Sequence, residues 1–104
     1  MQPIKEVTPH LLRYVLPDDC SEEDKDMNPI AAMEVVESFK SGKAVEIRNA
    51  VISGPLTLKS VTVEGEITIE RTKIRDPVDC SYATFKQVLS LKQSTFETDV
   101  NFTN

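Results

Sequence analysis

The feature that most constrains this chain is a spacing of eleven. Ala83-Thr84-Phe85 returns as Ser94-Thr95-Phe96, and Leu89-Ser90-Leu91 returns as Val100-Asn101-Phe102. Stepped backwards, the Phe85 series passes through Ile74, Val63 and Ile52, and the Ala83 series through Thr72, Val61 and Ala50. The Leu91 series passes through Cys80, Ile69, Leu58 and Ile47, and the Leu89 series through Val78, Ile67, Leu56 and Val45. Every position so defined is apolar except Thr72 and Ser94, whereas between them only Val51, Tyr82 and Val88 are apolar. A sorting this clean defines an inside and an outside.

Each eleven divides into five plus six. As fives the chain reads VEIRN, AVISG, LTLKS, VTVEG, ITIER, TKIRD, VDCSY, ATFKQ, LSLKQ, STFET and VNFTN. One extra residue (Pro55, Glu66, Pro77, Val88 or Asp99) follows every second five. The first and third residues of each five point inward and the second outward, as neighbours alternate along a strand. The last two are polar, and Gly54 and Gly65 among them suit corners. Each five is therefore a very short strand and a bend, and it buries its apolar face only by stacking on copies of itself. The fold class is mainly β.

Residues 45–104 resemble the pentapeptide-repeat family, with ATFKQ and STFET carrying the likeness best: a small residue stands two before a central Phe. Ile and Val replace the usual Leu or Phe at the centre of the early fives, and the sixth residue departs from the plain pattern. The resemblance implies a right-handed β-helix of square section. Four fives per coil then take 22 residues, which sets position n beneath n+22, about 4.8 Å away. The same-position charge pairs Arg48/Glu70, Glu70/Lys92, Arg75/Glu97 and Glu64/Lys86 are all opposite in sign, as close stacking requires.

Ahead of the repeat, Asn28-Pro29 is expected to open a helix and Gly42 to end it, giving a capping helix over 29–42. Ile30, Met33, Val36 and Phe39 form its apolar side, to lie over the open end of the first coil. Thr8-Pro9 is expected to open a helical turn through Leu12, Tyr14 and Leu16. Residues 17–28 read as an acidic linker. The chain is thus divided into an N-terminal segment 1–28, a cap 29–42 and a β-helical unit 43–104, one domain overall, expected to be a fragment of a longer protein.

The chemistry of the residues is sparse. Asp24-Lys25-Asp26-Met27-Asn28 mimics the start of a calcium loop, but Pro29 and Val35 stand where Gly and Glu are needed. Ser41-Gly42-Lys43 follows a helix rather than a strand, so it is a helix stop and not a phosphate loop. A nucleophile pair would join His10 to Cys20 or Cys80, and a three-ligand zinc site would join His10, Cys20 and a carboxylate; Cys80 falls in the inward register, and Cys20 in a loop. Glu64 and Glu66 point outward on an open face. No catalytic residue, cofactor or metal is expected, and no small-molecule substrate.

The 104 residues carry 17 acids and 12 bases, a net charge of −5, which disfavours direct contact with nucleic acid or an anionic membrane. Two cysteines, no continuous apolar run at the N-terminus and none long enough to span a bilayer point to a cytoplasmic protein. The function expected is a non-enzymatic structural and protein-interaction module. Its interaction end is Leu91, Phe96, Val100 and Phe102, open to a protein partner or a second copy. The resemblance implies one alternative, a DNA-mimicking protein that binds topoisomerases. The near-neutral balance of residues 45–104 makes that the weaker expectation.

Overall fold

The structure is a computed structural model that describes residues 1–103; Asn104, the last residue of the expected 43–104 unit, lies outside the described residues. It is strand-rich, with two helices and four separate sheets. In chain order the elements are β1 (Ile4–Val7), β2 (Leu11–Val15), α1 (Glu22–Met27), β3 (Ile30–Ala31), α2 (Ala32–Lys40), β4 (Ala44–Arg48) and β5 (Val51–Ser53). There follow β6 (Leu56–Thr57), β7 (Thr62–Val63), β8 (Ile67–Glu70), β9 (Lys73–Ile74), β10 (Val78–Asp79), β11 (Thr84–Phe85), β12 (Leu89–Ser90), β13 (Thr95–Phe96) and β14 (Val100–Asn101).

Among β3 to β14 every pairing is parallel and joins residues 22 apart, while β4 also pairs in parallel with β2 across 33 residues. Val45 lies opposite Ile67 and Ile67 opposite Leu89; Ile52 lies opposite Ile74, Leu56 opposite Val78, and Val78 opposite Val100. The sheet orders are β1-β2-β4-β8-β12, β6-β10-β14, β7-β11 and β3-β5-β9-β13, so from β2 onward successive strands fall in different sheets. The 22-residue offset follows from the eleven: two steps of eleven bring the chain back to the same sheet and the same face.

The inward series forms the core. Val45, Ile47, Ile52, Val63, Ile67 and Ile74 are fully buried. Thr72 and Ser94, the polar members, bond to main chain: Ser94 Oγ accepts the Thr72 N–H at 3.2 Å and donates to Ile69 O at 2.8 Å, and the Thr72 hydroxyl donates to Glu70 O at 2.9 Å. The outer face of β4 and β8 carries charge. Arg48 pairs with Glu46 at 2.7 Å and with Glu70, which also accepts from Ser90. The Ser90 hydroxyl first, and then Arg48 and Lys92, hold the Glu70 carboxyl below its usual range. Glu64 meets Lys86 at 3.6 Å. Arg75 turns instead to Asp26.

The N-terminal region differs from expectation in four ways. Residues 8–16 form no helical turn. Leu11–Val15 is a strand, antiparallel to β1 and parallel to β4, that puts Leu12 and Tyr14 inside; Leu16, just beyond it, is also buried. The acidic linker contains α1, opened by a capping box in which Ser21 Oγ accepts the Asp24 N–H and the Asp24 carboxylate accepts the Ser21 N–H. Asn28 ends α1 rather than starting the next helix. Ile30–Ala31 is a strand, because Ile30 stands 22 residues before Ile52 and pairs with it, so α2 begins only at Ala32. It packs against β2, β3, β4, β6 and β7 through Ala32, Val35, Val36 and Phe39, while Met33 faces out.

Candidate interaction end

Each sheet finishes, at the side away from α2, on one of β11, β12, β13 and β14. Among the described residues none of these strands has a neighbour on its far side. Their N–H groups and carbonyls are used on one side alone, as when the Lys86 N–H donates to Val63 O at 3.0 Å and the Glu97 N–H to Ile74 O at 3.0 Å. Beyond β14, the Tyr82 N–H donates to Thr103 O at 2.7 Å, which holds Phe102 over Cys80.

Of the expected end residues, Leu91 and Phe96 are half-buried, Val100 is 36% exposed and Phe102 47%. All but Val100 line one apolar cavity of about 40 Å³ that reaches down to Phe39 of α2. Phe85 and Leu89 line it as well; they belong to the same inward series and could have been named from it. Phe85 is half-buried rather than buried, since little is stacked above it. The cavity is far below the several hundred Å³ of a small-molecule pocket, and wholly apolar voids stay dry.

The other sequence candidates are spent on structure. Cys80 is buried, and burial, with Asp79 behind it, pushes its thiol up to about 11. Cys20 is half-buried with Sγ 3.7 Å from Asn49 Nδ2. His10 is exposed, and its carbonyl accepts the Ala44 N–H at 2.9 Å. Among the described residues, no three His, Cys, Asp or Glu side chains form a group suited to a metal. Gly42, at φ +78°, follows the end of α2. No described helix is long and apolar enough to cross a membrane.

Sequence reasoning also missed Val51. It lies outside the inward register yet is fully buried, and it lines a groove together with Glu22 and Lys25 of α1. No family model, curated protein or solved structure matches the chain.

Proposed function

We propose that this chain is a non-enzymatic protein-interaction module, built as a short right-handed quadrilateral β-helix of the pentapeptide-repeat kind. The β1–β2 hairpin and α2 close one end of the stack. The other end, at Leu91, Phe96, Val100 and Phe102, takes a protein partner, and in the isolated chain a second copy. The observation that carries this reading is the coincidence of four one-sided strand edges with an apolar mouth. Unpaired edges template further pairing, and two copies meeting there satisfy both sets through one two-fold contact.

The parallel 22-residue register supports the solenoid, since it is the pairing that a coil of four fives requires. The alternating charges weigh against the DNA mimic: Arg48 is spent on Glu70 and Lys86 on Glu64. A duplex presents one negative charge per ~1.7 Å, with no such cancellation.

Sedimentation velocity over a wide concentration range tests the end contact. The chain is expected to self-associate, and Phe102→Lys to weaken association at least ~10-fold, about 1.4 kcal/mol, with the β circular dichroism signal intact. A strict monomer at high concentration sinks the reading.

A further inference from the structure

The acidic segment between β2 and β3 lies across a row of cations. Asp18 meets Arg71 at 3.0 Å, Glu22 meets Lys73 at 3.5 Å, and Asp26 meets Lys73 at 4.0 Å and also pairs with Arg75. The acids stand four residues apart and the bases two. Glu22 and Asp26 stand on α1, where four residues rise about 6 Å, while Asp18 precedes the helix; Lys73 opens β9, with Arg71 and Arg75 on either side of that strand. A row of opposite charges results, two of its three acids on the helix.

The middle of this strap has no apolar grip of its own. No residue of α1 is buried. Lys25, paired with Glu22 at 3.1 Å, keeps only 16% of its side chain exposed and lines a groove of about 130 Å³ with Val51. A lysine buries its methylene stem in such a place while its charge stays at the rim, and an apolar side chain would fill the same groove without a charge to solvate. The ends, by contrast, are fixed. Leu16 and Ile30 are buried, Asn49 Nδ2 donates to Pro17 O at 2.8 Å, and the Tyr14 hydroxyl donates to Asn28 O at 2.6 Å.

We propose that Arg71, Lys73 and Arg75 form a docking site for an acidic helical segment of a partner protein, and that residues 17–29 are a built-in ligand which occupies the site and yields to it. Exposed ion pairs contribute little each and are screened by salt. The strap stays down because both its ends are tethered, which gives it a high effective concentration over the row. An untethered helix needs something more than the same carboxylates, and Val51 supplies the place for it. The fitting partner has acids four residues apart and an apolar side chain where α1 has Lys25. Its arrival lifts α1 without disturbing the core, since the anchors at Leu16 and Ile30 stay in place.

The test uses the full chain and a synthetic peptide of residues 17–29 carrying Lys25→Leu. Titrated at about 50 mM salt, the peptide is expected to bind the Asp18→Asn, Glu22→Gln, Asp26→Asn variant with Kd below ~1 mM. It should bind the unmodified chain at least ~10-fold more weakly, because there the row is occupied. Arg71→Gln, Lys73→Gln and Arg75→Gln added to that variant should remove binding. Amide exchange in residues 22–27 of the unmodified chain should quicken at about 0.5 M salt while β4 and β8 stay protected. Equal binding to both chains, absence of binding, salt-insensitive exchange in α1, or binding of a duplex oligonucleotide in place of the peptide overturns the proposal.

Discussion

At Gly65 two successive turns of backbone all but touch. A Cβ there would lie 2.2 Å from Lys43 O and 2.6 Å from Lys43 C, and Lys43 is the residue 22 positions earlier. Both atoms are main chain, so no side chain can yield. Gly65→Ala is expected to cost about 2–4 kcal/mol in a urea titration; a near-neutral result means the turns are spaced more widely there. Sequence reading placed a glycine corner here but not its reason. It missed the more regular device altogether: Asn49, Ser60, Arg71, Tyr82 and Gln93, eleven apart, all hold positive φ. No glycine marks them, so composition hides them, although their place at the end of alternate fives is visible afterwards. A β-branched residue tolerates that conformation worst, so Ser60→Val should cost about 1–2 kcal/mol, whereas Ser60→Gly should change stability by less than ~0.5 kcal/mol. Cys80 gives a chemical check on the inward register. With its thiol pushed up to about 11, almost none is thiolate at neutral pH, and the thiolate is the reactive form. Iodoacetamide should label Cys20 first and reach Cys80 only as the chain unfolds; parallel labelling of both in the native state contradicts the buried assignment.

Among the elements, those inside the repeat were legible and those before it were not. The repeat announces itself because twenty-two inward positions vote together. A single strand such as β2 has only Leu12 and Tyr14, with Leu16 just beyond it, to vote with, and Thr8-Pro9 beside them resembles a helix start. The alternation was the true signal, and the parallel neighbour β4 was what made it a strand. Similarly, Asn28-Pro29 looks like a helix opening, but the 22-residue register already reached Ile30. Tertiary pairing won over local propensity at both places. α1 was legible in principle, since Ser21-Glu22-Glu23-Asp24 has the spacing of a capping box with an Asp in the fourth place. The junction between these elements is a single hydrogen bond, from the Tyr14 hydroxyl to Asn28 O. Tyr14→Phe keeps the packing of the ring and leaves that carbonyl without its donor. It should cost about 1–2 kcal/mol and speed amide exchange in residues 22–30 more than in β4. A uniform change of exchange across the chain argues against this local role.

From β2 onward burial fades along the chain. Leu12, Leu16, Val45, Ile47 and Ile52 are all but fully buried; Phe85, Leu89, Leu91 and Phe96 are partly covered; Val100 and Phe102 are exposed. Sequence periodicity does not reveal this gradient, because every inward position looks alike until it is known what lies above and below it. The physical consequence is a gradient of stability, since a strand paired on both sides is held more firmly than one paired on a single side. Amides whose opening requires global unfolding should cluster in β2, β4, β5 and β8, which have partners on both sides. Those of β13 and β14 should open locally, with protection lower by several kcal/mol in a small domain whose total is about 5–15 kcal/mol. Truncation should show the same polarity. A chain ending at Glu97 loses, among the described residues, only exposed ones and should keep a cooperative transition. A chain starting at Lys43 loses Leu12, Leu16, Ile30, Val35 and Phe39 from the core, and bares the edges of β4 and β5. It should aggregate or remain unfolded. Comparable folding by both truncated chains, measured by denaturant titration and sedimentation, would place the organising core in the repeat alone and leave the hairpin and α2 as accessories.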